Sequence, residues 1–174
     1  AKYLEQAAAK LEPMRKLFLE QRRKAKASGK QVPSGADVGC GPAAQSSVEA
    51  LAQLAQSHAA KGNPAAAAAC ARVTLHALAE VDAQLASMQL LLRRPETALR
   101  VYERQLEVFE SNPEALFGRA TLLLELRGDD ATALKKAKAD YERLLQDYPT
   151  SPRAAEARAY AAHIDRALAA GGTT

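Results

Sequence analysis

Three histidines, His58, His76 and His163, and two cysteines, Cys40 and Cys70, are the side chains best suited by type to nucleophilic, acid–base or metal chemistry. Their spacing assembles none of it. No histidine stands at i, i+4 from another histidine or from a cysteine, so each reads as a surface or groove residue. The cysteines have no CxxC spacing and no neighbouring His pair, which leaves no zinc motif. Cys40 falls in a Gly-rich loop and Cys70 in an alanine-rich helix, and two free thiols are the expectation. The loop GADVGCGP, residues 35–42, lacks the Lys-Ser/Thr ending of a phosphate loop and follows no predicted strand. Asp129 and Asp130 sit where a helix should start, and capping explains them. The expectation is a protein that binds rather than catalyses, with no cofactor, no metal and no small-molecule substrate.

The elements that position these residues are helical. Apolar residues make up 48% of the 174 and charged residues 25%, enough to bury a core, while aromatics are 5% with no tryptophan. Alanine is abundant; it is the best helix former and lets helices approach closely. No stretch supplies the alternating β-branched and aromatic pattern of strands. The length suits one compact domain or three to four stacked helix pairs. No apolar run reaches a membrane span and no signal-peptide pattern opens the chain, which starts on an alanine as if an upstream segment had been removed or lay outside it. A soluble protein is expected, cytoplasmic first, with the bacterial periplasm as the alternative.

Proline and its preceding residue punctuate the chain. Asn63-Pro64, Asn112-Pro113 and Ser151-Pro152 place a capping side chain before a residue whose missing amide costs nothing at a helix start, and Arg94-Pro95 is a weaker copy. Ser46 and Glu49 have capping-box spacing, and Gly62 and Gly128 stand where helices should close through a left-handed residue. These marks predict helices over 47–61, 64–78, 80–93, 95–110, 113–127, 130–148 and 152–169. A turn near Ala79–Asp82 separates the second from the third, with one long helix over 64–93 as the alternative. Residues 1–27 also read as a helix, which Pro13 should kink or divide. The organisation expected is a basic helical arm (1–27), a Gly/Pro/Ser-rich linker (28–46), a helical repeat domain (47–170) and a short tail (171–174).

Alternate helices begin near 47, 79, 113 and 152, close to the 34-residue period of tetratricopeptide repeats. The segment Pro113–Pro149 resembles one such repeat: Leu116 takes the large apolar position, Ala120 the small contact, Gly128 the turn, and Ala137, Tyr141 and Pro149 the small, aromatic and terminal-proline positions. Asp82–Asn112 fits the same template and Val48–Leu78 fits it less closely; extra residues around Asp130–Lys136 should lengthen one helix. Tyr141–Ala162 is also similar to repeats of bacterial envelope-assembly proteins. The resemblance implies an all-α solenoid of about three antiparallel pairs with a C-terminal capping helix. It further implies a concave groove lined by Gln53, Gln56, Gln84, Ser87, Phe117, Thr121, Arg153, Glu156 and Tyr160, suited to a peptide or helix of a partner protein. The lysine/asparagine clamp of the chaperone-binding members is missing, because its first-repeat positions carry Ala52 and Gln56.

Charge is uneven. Residues 1–30 hold nine Lys/Arg against three Glu, a net +6, so the remaining 144 residues carry −2 within the overall +4. The run Arg15–Lys30, with Arg15, Lys16, Arg22, Arg23, Lys24 and Lys26, is a solvated helix face or a docking site for nucleic acid, anionic membrane or an acidic neighbour. A structural subunit anchored in a large assembly through this arm, and charge-driven binding of RNA or membrane by it, are therefore the alternatives to an adaptor.

Overall fold

The computed structural model describes residues 2–40, 48–77 and 79–171, and these form an all-α protein with no strand among them. The helices are α1 (Lys2–Ala27), α2 (Val48–Ala60), α3 (Pro64–Ala77), α4 (Ala79–Leu91), α5 (Pro95–Val108), α6 (Pro113–Arg127), α7 (Ala131–Asp147) and α8 (Ala154–Gly171), with one 3-10 turn at Ala36–Val38. None of them is long and apolar enough to cross a membrane.

The starts follow the capping chemistry. Asn63 Oδ1 accepts from the Ala66 amide at 3.3 Å, Asn112 Oδ1 from Ala115 at 2.9 Å, and Asp130 Oδ1 from Thr132 at 2.7 Å. Arg94 offers no side-chain cap, in keeping with its weaker signal. The capping box at Ser46 lies outside the described residues. Two expectations fail, and a third is narrowed. Pro13 sits inside α1 and does not divide it, since burial of Leu11, Met14 and Phe18 around it outweighs the lost backbone bond. Ala79–Asp82 is helical, the first turn of α4, and residue 78 lies outside the described residues. Gly62 is left-handed at φ +70°, but Gly128 is right-handed at φ −67°; glycine is needed there for room, since a Cβ would stand 2.7 Å from the Leu124 carbonyl oxygen.

The chain divides into two compact units between Gln84 and Leu85, inside α4, rather than at residues 28–46. In the first unit α3 is packed by α1 and α2, which scarcely meet each other. Every residue from Ala65 to Ala71 is buried, the signature of a helix enclosed on all sides. Helix α1 is thus a member of a bundle and not a free arm. The stretch after it is fastened: Arg72 Nη2 donates to the Pro33 carbonyl at 3.2 Å, the Cys40 amide to the Gly35 carbonyl at 2.7 Å, and Gly35 lies so close to Val73 that a Cβ would collide with it. Cys40 and Cys70 form a disulfide, with Cα atoms 5.3 Å apart. That overturns the expectation of two free thiols; the folded-back loop brings together two cysteines 30 residues apart.

In the second unit α5 packs on α6, α6 on α7 and α7 on α8 around Leu99, Leu116, Leu123, Leu134, Tyr141, Leu144 and Ile164. Leu116, Ala120, Ala137 and Tyr141, the large and small positions of the repeat template, are all buried. Arg119 grips Asp140 with two hydrogen bonds, 2.7 Å from Nε and 2.6 Å from Nη2, tying α6 to α7. Helix α4 closes through Arg93 at φ +56°, with the Arg94 amide bonded to the Gln89 carbonyl at 2.9 Å. A left-handed L-residue costs about 1–2 kcal/mol. Arg93→Gly is therefore expected to raise stability by about 1 kcal/mol, read as a higher urea midpoint at unchanged slope.

Candidate functional site

The second unit carries a cleft of 210 Å³ lined by Leu90, Tyr102, Glu114, Phe117, Gly118, Thr121, Leu122, Glu125 and Arg153. Most of its wall is one face of α6. Glu114, Phe117, Gly118, Thr121, Leu122 and Glu125 recur at three- and four-residue steps and share that face. Beside it Phe117, Tyr141 and Tyr160 form an aromatic cluster: Phe117 meets Tyr141 edge-on at 5.7 Å, Tyr160 stacks on Tyr141 at 5.5 Å, and Phe117 lies 6.3 Å from Tyr160. The Arg153 guanidinium covers the Phe117 ring at 4.8 Å and pairs with Glu156 at 3.3 Å. Burial, and then the Glu114 carboxylate, push the Tyr102 hydroxyl above its ordinary range. Leu90 starts an exposed apolar run through Leu91, which is 78% exposed, and Leu92.

Five of the nine expected groove residues thus come together: Phe117, Thr121 and Arg153 in the wall, with Tyr160 and Glu156 touching it. Ser87 is exposed on α4 outside the lining. Gln53, Gln56 and Gln84 belong to the other unit, exposed on α2 and α4. Leu90, Tyr102, Glu114, Gly118, Leu122 and Glu125 were not foreseen. The α6 members carry a sequence signal, the step from Phe117 to Thr121 extended one turn each way; Tyr102 reaches the cleft from α5.

Gly118 keeps the cleft open, because a Cβ there would stand 2.5 Å from the Tyr102 ring. Gly118→Ala should leave helix content unchanged or slightly raised, since alanine is the better helix former by about 1 kcal/mol, while displacing Tyr102. Far-UV circular dichroism together with the Tyr102 aromatic NMR resonances checks both halves of that expectation.

Among the basic residues of α1, Arg15 is buried and bonded to Asp82 and Glu12. The Arg22 guanidinium lies over the Phe18 ring at 5.3 Å. Lys24 pairs with Glu20 at 2.5 Å and holds that carboxyl below its usual range. Lys16, Arg23 and Lys26 are exposed.

The first unit contains one constellation that linear spacing concealed. His58, in the last turn of α2, lies with Cys40 and Cys70 so that one potential ligand atom of each falls within 4.8 Å of the others. Three separate elements supply them: the loop after α1, α2 and α3.

Compared with known proteins, the chain matches no family model, no curated protein and no solved structure.

Proposed function

We propose that this protein is a protein–protein adaptor, a tetratricopeptide-like α-solenoid whose Leu85–Thr174 unit takes a peptide or helix of a partner. The observation that carries the reading is the aromatic cleft on α6, an apolar wall of Leu90, Tyr102, Phe117 and Leu122 with Glu114 and Glu125 beside it. Clefts of this kind bury an apolar anchor, while the polar groups beside it fix orientation. With two carboxylates at the wall, and Arg153 already turned to Phe117 and Glu156, the preferred ligand carries a large apolar side chain next to Lys or Arg. The buried large and small positions of α6 and α7 support the repeat reading. The disulfide supports an oxidising compartment, the periplasmic alternative, over the cytoplasm.

Selection of a displayed random-peptide library on the intact protein tests the proposal. Apolar–basic motifs should be enriched and then lost on Phe117→Ala, and on Gly118→Ala with the fold intact. Charge reversal at Lys16, Arg23 and Lys26 should leave the selected peptides bound. Enrichment that follows α1 instead of the cleft would favour charge-driven binding or an assembly subunit.

A further inference from the structure

We propose that Cys40, Cys70 and His58 form a redox-gated site for a thiophilic divalent metal of the zinc class, closed as a disulfide and open to metal as a dithiol. Zinc takes thiolate and imidazole ligands, and a tetrahedral ion with Zn–S bonds of about 2.3 Å holds two sulfurs about 3.8 Å apart. The ligand atoms of the three residues already lie within 4.8 Å of one another, so side-chain rotation rather than backbone rearrangement suffices to open the pair around an ion. A disulfide has no need of an imidazole, yet α2 delivers one to both sulfurs.

Each ligand is held by contacts independent of the sulfur–sulfur bond. Cys40 is placed by the hydrogen bond its backbone N–H donates to the Gly35 carbonyl, and that loop by the Arg72–Pro33 hydrogen bond and the seat of Gly35 against Val73. Cys70 lies in the enclosed centre of α3. His58 is set by the closing turn of α2, where its carbonyl accepts from the Asn63 amide at 2.9 Å. The dithiol is therefore preorganised, the condition for tight metal binding without refolding. His58 is half-buried while both cysteines are fully buried, which leaves the fourth position of the ion to water on the imidazole side.

The cycle balances. An external dithiol gives two electrons and two protons to the Cys40–Cys70 bond, yielding two thiols and its own disulfide. The metal then displaces both thiol protons to solvent and forms two metal–sulfur bonds and one metal–nitrogen bond. An external disulfide runs the exchange backwards: both sulfurs rejoin, their two electrons pass with two protons from solvent to that disulfide, which becomes a dithiol, and the ion is released.

The test uses the full-length protein, reduced with a phosphine that is then removed anaerobically, and titrated with Co(II). Expected are a thiolate-to-cobalt charge-transfer band at one equivalent, its displacement by Zn(II), and no band in the disulfide form or in Cys40→Ser/Cys70→Ser. His58→Ala should weaken binding about 100-fold, the upper end of what loss of an outer-shell partner alone costs. Circular dichroism on the reduced, metal-free protein should show its helices retained. Absence of the band, unchanged affinity in His58→Ala, or unfolding on reduction alone would each overturn the proposal.

Discussion

Asp82→Ala is expected to destabilise the protein by about 3–5 kcal/mol, read as a large fall in the urea midpoint. Arg15 Nη2 donates to Asp82 Oδ2 at 2.8 Å, and the two side chains are 3% and 6% exposed. Without Asp82 the enclosed guanidinium keeps, among the described residues, only the Glu12 carboxylate beside it, 42% exposed and largely solvated. The loss therefore reflects a buried charge left without compensation more than the value of the pair itself. Arg15→Met/Asp82→Leu should recover most of it, because apolar residues of similar volume remove the desolvation cost on both sides. Recovery is helped by Arg15 Nε, which is buried with no hydrogen-bond partner among the described residues and gives up nothing when replaced. A single-variant loss below about 1 kcal/mol would show that the pair behaves as an exposed one.

Tyr141→Ala is expected to cost a similar amount, about 3–5 kcal/mol. Tyr141 is fully buried between Phe117 and Tyr160, and its hydroxyl shares a hydrogen bond of 3.0 Å with Thr121. Truncation removes a ring and opens a void under the wall of the cleft, so the peptide binding proposed for that cleft should fall with stability. Tyr141→Phe separates the two effects: the ring stays, and only the hydrogen bond, about 1 kcal/mol, is lost. It also changes the alkaline behaviour. Burial above all pushes the Tyr141 hydroxyl from 10.0 up to about 12. Below pH 10 the phenol is protonated in both states and its contribution is complete. Between 10 and about 12 the unfolded chain ionises while the folded one does not, so stability falls as pH rises. That part of the fall should vanish in Tyr141→Phe, as denaturant titrations across this range would show.

How much of this was legible depended on whether the signal was local. The caps at Asn63, Asn112 and Asp130 and the prolines after the two asparagines act within one turn of backbone, and the helix bounds they mark lie within about two residues of those found. Gly62 and Gly128 look alike in sequence, yet one answers to a backbone angle and the other to a steric limit, which only the path of the chain distinguishes. The resemblance led to Phe117 and Thr121 because face-sharing on α6 is periodic, and to Arg153 in the turn before α8. Tyr102 enters the wall through α5–α6 packing, which no single-helix pattern records. The basic run concealed its own exception: Arg15 reads as one more solvated cation until Asp82, 67 residues away, arrives beside it. Cys40, His58 and Cys70 converge for the same non-local reason.

The enclosed alanine helix α3 has a consequence of another kind. Five consecutive identical side chains, Ala65 to Ala69, give their neighbours no landmark. A rotation of one residue, about 100°, replaces each methyl by another like it and leaves the fit there unchanged. Shape complementarity, the usual source of a unique alignment, is degenerate along that stretch. The alignment must be encoded at its edges, by the Asn63 cap before it and by Cys70 and Arg72 after it, each engaging a particular partner atom. The loop after α1 thus acts as an indexing pin: it tells α3 which of several nearly equivalent rotations is the native one, and so places Cys70 against Cys40 and Arg72 against Pro33.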